Sequence, residues 1–161
     1  MRDKFLMWVR TFDDLLAQEN LIRFKDCNPG LKKSEIKIMG QLGLLLSVPE
    51  MELNATSDLD AVVSGDLDTK ELFKTFLLQH NLVLDDGGEL IQMPPGTSWL
   101  DFFDGKFIRV VIADPLSIIR SKCQFKRLKD KAQINKILNQ FPDWRKYILK
   151  NGPSLDWLDE K

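Results

Sequence analysis

The segment Asp58-Leu59-Asp60-Ala61-Val62-Val63 constrains what this chain can fold into more than any other stretch. Its alternation of acidic and apolar residues is that of a β-strand, in which successive side chains point to opposite faces. Asp58 and Asp60 therefore share one face, with Cα atoms about 6.5 Å apart. Two carboxylates that close repel each other, and beside a core they are costly unless a cation compensates. The pair has two readings: it is solvated at the strand's entry, or it holds a hard divalent ion. Mg²⁺ takes one or two carboxylates and completes its shell with water and substrate phosphates. An EF-hand loop is excluded, because Asp60 is followed by Ala-Val-Val instead of oxygen ligands and glycine.

The sequence around this strand predicts a mixed architecture. Phe5, Trp8, Val9, Phe12, Leu15 and Leu16 recur at spacings of three and four, the apolar stripe of a helix over 3–19. Asn28-Pro29-Gly30 breaks the chain, 36–39 alternates as a short strand, and Gly40 opens a helix over 41–48. Residues 49–57 read as a loop before the acidic strand. Asp68-Thr69-Lys70-Glu71 has the form of a capping box, starting a helix that carries Leu72, Phe73, Phe76 and Leu77. Residues 82–84 and 90–91, joined by Asp85-Asp86-Gly87-Gly88, read as a hairpin. A second hairpin joins 99–103 to 107–112 through Asp104-Gly105. Asp114-Pro115 starts a helix, and helical texture runs to about 149 with a break near Pro142. These elements predict an α+β fold, a small mixed β-sheet with helices packed around it and a helical C-terminal part. One domain is expected over 1–161, with its core at about 35–115 and C-terminal helices at about 115–150.

Composition narrows the chemistry. The only histidine is His80 and the only cysteines are Cys27 and Cys123, so neither a Cys/His zinc site nor a disulfide scaffold can be assembled. A Ser-His-Asp device would have to use His80, which ends a helical pattern and reads as a charge partner or core-edge residue. The cysteines read as small structural side chains. Carboxylates, lysines and metal ions remain. Charges at positions 2, 3, 4 and 10 interrupt the N-terminal apolar pattern, which is unlike a signal peptide. The longest apolar run, 42–48, falls far short of the roughly 20 residues of a membrane span. A cytoplasmic protein with reduced thiols and no membrane contact is expected.

The net charge of −1 conceals two opposed blocks: residues 50–69 hold six acids and no base, and residues 120–136 hold seven bases and one acid. Most of those bases read as a solvated helix face; the sharper reading is that one of them faces phosphates across from the acids, and charge counting does not choose which. A nucleic-acid surface is a weaker third reading, since the whole chain is not basic. Asp101, inside the apolar run Trp99 to Phe103, is a further candidate acid because so apolar a strand calls for a compensating charge. The other reading of Asp101 is the solvent face of an edge strand. Asp104 is the runner-up, although Asp104-Gly105 reads more simply as a turn. Asp66, Asp68 and Asp114 read as turn and helix-cap residues. Trp99, Phe102, Phe103 and Phe107 read as core, and Leu155, Trp157 and Leu158 as a tail that docks back or meets a second subunit.

Ile38-Met39-Gly40-Gln41, a helix, and then Thr56-Ser57-Asp58-Leu59-Asp60 form an ordered set that resembles the nucleotidyltransferase superfamily, the DNA polymerase beta-like fold. It is most similar to that superfamily's minimal, uncharacterised bacterial branch. The stretches 93–97, 103–105, Ala113-Asp114-Pro115 and Ser121-Lys122 extend the likeness, as does Arg127-Leu128-Lys129-Asp130, similar to an R-x-K-D element. The resemblance covers about 35–140. It implies transfer of a nucleoside monophosphate from ATP or another nucleoside triphosphate, with Mg²⁺ or Mn²⁺, to a hydroxyl of RNA, protein or a small molecule. It implies metals on Asp58, Asp60 and Asp101, with Asp101 helping to activate the acceptor. Gly40, Gln41, Thr56 and Ser57 would lie at the nucleotide, with Lys122 and Lys129 on its phosphates. Gln41 stands where the family has Gly or Ser, and Asn54 where it often has Arg. These departures keep an alternative in view: a non-catalytic interaction module of the same fold, such as one component of a toxin–antitoxin pair, acting with a cognate protein or as a homodimer.

Overall fold

A computed structural model of the chain describes residues 1–87, 93–150 and 152–158. The described elements run α1 (Arg2–Lys25), β1 (Ser34–Ile38), α2 (Gly40–Ser47), β2 (Asp58–Ser64), α3 (Leu67–Gln79), β3 (Val83–Asp85), β4 (Trp99–Asp104), β5 (Ile108–Ala113), α4 (Pro115–Phe125), α5 (Leu128–Gln140) and α6 (Trp144–Leu149). A short 3-10 turn, Asp156–Leu158, follows. The strands form one five-stranded mixed sheet in the order β3-β2-β1-β5-β4. β1 pairs antiparallel with β2 and parallel with β5, β2 pairs parallel with β3, and β4 pairs antiparallel with β5. The fold is α+β, as the element order predicts.

Period-two alternation divides the sheet between two layers. Ile36, Ile38, Leu59, Ala61, Ile108, Val110 and Ile112 are buried in a cluster with Phe5, Phe12 and Leu16 of α1 and Phe73, Phe76 and Leu77 of α3. On the other face, Val62 and Ala113 join a cluster built by Ile118 and Ile119 of α4, Ile134 and Ile137 of α5 and Ile148 of α6, closed by Leu155, Trp157 and Leu158. The C-terminal tail therefore docks back on its own chain. Asp58 and Asp60 alternate with Leu59 and Ala61, so the acids point toward the α4–α5 layer.

Several local boundaries differ from the sequence reading. α1 runs past residue 19 to Lys25, although Leu21, Ile22 and Phe24 are exposed. Arg23 supports the added turns through ion pairs with Glu19 one turn earlier and with Asp68 of α3. The cap of α3 is Asp66 and not Asp68. The chain turns at Gly65 (φ +116°), leaving Asp66 extended so that its carboxylate accepts from the Asp68 N–H at 3.0 Å. Asp68 lies inside the first turn, where its charge suits the helix dipole. The strand expected over 82–84 takes β2 as a parallel neighbour, with α3 as the crossover; its expected hairpin partner at 90–91 lies outside the described residues. The β4–β5 hairpin forms as expected. Asp114 caps α4 by accepting from the Ser117 N–H at 2.9 Å, with Pro115 in the first turn. His80 follows α3, its ring stacked on Trp8 at 4.4 Å and edge-on to Phe76 at 4.7 Å. No helix among the described residues is long and apolar enough to cross a membrane.

Asp13 of α1 closes the β4–β5 hairpin. Its carboxylate accepts from the N–H groups of Lys106, Phe107 and Ile108 at 2.8, 2.8 and 3.0 Å. A Cβ on Gly105 would lie 2.5 Å from the Asp13 carboxyl carbon, so the turn closes against this side chain only as glycine. Three backbone donors lose a charged acceptor in Asp13→Ala, and a loss of about 2–4 kcal/mol is expected. Urea unfolding of the variant checks it, with a lower midpoint at an unchanged m-value as the signature.

Candidate functional site

A polar cleft of about 600 Å³ opens where the acidic end of β2 faces α4 and α5. One wall carries Asp58, Asp60 and Asp85. Register brings them together: Asp58 and Asp60 share a face of β2, and Asp85 of β3 is the Cα partner of Asp60 across the parallel pair. Gly40, the first residue of α2, makes the space behind Asp60. Its φ is +65°, and a Cβ there would lie 1.7 Å from Asp60 Oδ2, so no side chain fits between α2 and this carboxylate. The 49–57 loop is tied in place at both ends. Gln140 of α5 accepts from the Glu52 N–H and donates to the Glu50 carbonyl, and the Gln41 amide donates to the Asn54 carbonyl at 2.7 Å. Within the loop, the Thr56 hydroxyl accepts from the Asp58 N–H, and the Ser57 hydroxyl donates to the Asp58 carboxylate.

The facing wall is cationic. Lys122 of α4 is only 8% exposed, and its Nζ donates to Asp130 Oδ1 at 2.6 Å. Arg127, between the two helices, donates through Nε to Asp130 Oδ2, also at 2.6 Å. Asp130 is 3% exposed and clamps both cations. The chain reverses here through Lys126, a left-handed residue (φ +48°) that ends α4, so Lys122 and Asp130 meet from consecutive helices. Exposed Lys129 and Lys136 add further positive charge to this wall.

These charges act on one another. The Asp60 carboxyl is held above its ordinary value, chiefly by burial and next by the Asp85 charge, with Asp58 adding. Lys122 and Arg127 pull it down without cancelling those effects. Burial pushes the Asp130 carboxyl up, but the hydrogen bonds and charges of Lys122 and Arg127 outweigh it and leave Asp130 below the ordinary value. Burial, with the Asp130 charge beside it, pushes the Cys123 thiol up to about 11, so it is neutral and unreactive.

Asp60 in particular calls for positive charge beyond what its neighbours supply. Among the described residues, no three His, Cys, Asp or Glu side chains are grouped closely enough to hold a metal ion by themselves.

Asp58, Asp60, Gln41, Thr56, Lys122 and Lys129 all line this cleft. Gly40 borders it through Asp60, and Ser57 touches Asp58. Asp101 is elsewhere: it sits on β4 at the opposite edge of the sheet from β3, 75% exposed, with its carboxylate accepting from Arg109 at 2.6 Å. The charge that compensates it is this arginine, and the solvent-edge reading of Asp101 holds. Asp104, the runner-up, pairs with Lys33 beside the same hairpin. Asp85 supplies the third acid of the cleft. Its place in Asp85-Asp86-Gly87-Gly88 reads as a turn, and only the pairing of β3 with β2 reveals it; the available signal was an acid ending a short apolar run after a helix. Gly43 is buried against Ile118 and Ile112, where it lets α2 approach α4. No family model matches this chain, and no curated protein and no solved structure shows significant similarity to it.

Proposed function

We propose that this protein is a Mg²⁺- or Mn²⁺-dependent nucleotidyltransferase with a nucleotidyltransferase-like fold. It moves a nucleoside monophosphate from ATP or another nucleoside triphosphate to a hydroxyl of an RNA, protein or small-molecule acceptor. The observation that carries this reading is the apposition, within one cleft, of three carboxylates from adjacent strands and two cations, buried Lys122 and exposed Arg127, both held by Asp130. In the reaction the acceptor oxygen bonds to the α-phosphorus, the bond to the bridging oxygen of pyrophosphate breaks, and the hydroxyl proton passes to a carboxylate. Asp58 and Asp60 would hold the divalent ion together with the phosphates, with Asp85 beside them, and the ion would supply charge neutralisation on the phosphates when bound. Lys122, Arg127 and Lys129 oppose the charge that grows on the departing pyrophosphate.

One observation favours a second reading. The Gln41 side chain enters the cleft beside the start of α2, where a smaller residue would open the backbone to phosphates. That crowding suits a non-catalytic module, as in a toxin–antitoxin pair. Incubation with each α-labelled nucleoside triphosphate, Mg²⁺ or Mn²⁺ and cell extract separates the two. Label on an acceptor with the wild type, and none with Asp58→Ala/Asp60→Ala, is the result expected of a transferase. Absence of both label and metal-dependent nucleotide binding refutes it.

A further inference from the structure

A second pocket, about 310 Å³, adjoins the polar cleft, and Asp60, Lys122 and Arg127 line both. We infer that this second pocket holds the nucleobase of the nucleotide whose phosphates occupy the cleft, an inference that rests on the transferase reading above. The two volumes differ in chemistry. Beyond the shared residues, the cleft carries the charges of Asp58, Asp85, Lys129, Asp130 and Lys136 among mostly polar neighbours, whereas the pocket is lined by Met93, Ile118 and Phe125, with Gly40 and Ser121, and adds no charge. A nucleotide has the same division: a strongly charged chain at one end and a flat ring system at the other. The pocket's size is at the lower end for ligand sites and suits one ring system.

Phe125 is the aromatic element. It is the last residue of α4, one turn beyond Lys122, and is 44% exposed although it borders the pocket. Residues three apart on a helix share a face, so the ring and the buried ammonium are presented to the same side. Stacking of a base on an aromatic ring is largely insensitive to base identity. The Phe125 ring would therefore strengthen nucleotide binding as a class.

Isothermal titration with Mg²⁺-ATP and with Mg²⁺-tripolyphosphate tests this on the full chain. Phe125→Ala is expected to weaken ATP about tenfold and tripolyphosphate less than twofold, and Phe125→Trp to restore ATP. Because Phe125 is partly exposed, the variants are expected to melt with the wild type, and a melting curve confirms that they are folded. If both ligands bind the wild type and Phe125→Ala changes neither, or weakens both equally, the base pocket is overturned while the transferase reading stands. If neither ligand binds the wild type, the transferase reading fails and the base pocket falls with it.

Discussion

Asp60→Asn is expected to raise the melting temperature by a few degrees while reducing nucleotidyl transfer at least about a hundredfold. The two effects have one cause. Burial, then Asp85, hold the folded-state carboxyl of Asp60 above its ordinary value of 3.8. Between 3.8 and the raised value, the folded protein binds more protons at this site than the unfolded chain, so stability falls as pH rises through that window. At neutral pH the ionised carboxylate therefore works against the fold. Asparagine keeps the shape and removes the charge, and each 1 kcal/mol recovered raises the melting temperature of a chain this size by about 2–4 °C. The gain should shrink as pH is lowered through the raised value and vanish below 3.8, where the wild-type carboxyl is protonated in both states. Mg²⁺ with nucleotide should raise the wild-type melting temperature and leave the variant's nearly unchanged. A variant that melts lower than wild type and still transfers label would make Asp60 a structural carboxylate.

What could be read from the sequence was local. The Asp58–Asp60 face follows from period-two alternation within one strand, and the Asp114-Pro115 start of α4 from the chemistry of its first turn. The β4–β5 hairpin follows from a turn dipeptide between two apolar runs. Each signal lies within a few residues. The third acid was not of this kind, because Asp85 reaches Asp60 only through a parallel pairing that spans the whole of α3. The apolar neighbourhood of Asp101 suggested burial, but β4 is an edge strand and Arg109 of β5 reaches that side chain. The basic block was legible as a count; which lysine is buried was not. Lys122 lies inside because a left-handed residue at 126 folds α5 back and brings Asp130 to meet it. Lys129, on the outer side of the same helix, stays in water.

Asp130→Ala is expected to cause the larger loss of stability, about 3–5 kcal/mol, and a fall in melting temperature on the order of 10 °C. The variant strands the Lys122 ammonium, 8% exposed, without its partner, and breaking a buried pair on one side costs far more than the pair contributes. The folded-state Asp130 carboxyl lies below 3.8 because Lys122 and Arg127 outweigh its burial. Its contribution is therefore complete above that pH and declines as pH falls through the lowered value, so the gap between wild type and variant should narrow in acid. The double variant Lys122→Met/Asp130→Leu separates stability from function. Replacing both charges with apolar side chains of similar size removes the stranded ion, and the melting temperature should return to near that of wild type. Binding of Mg²⁺-tripolyphosphate should not return with it, because the cleft has lost the ammonium that faces Asp60. If phosphate affinity recovers together with stability, Lys122 and Asp130 form a structural pair and the basic wall acts through Arg127 and Lys129 alone.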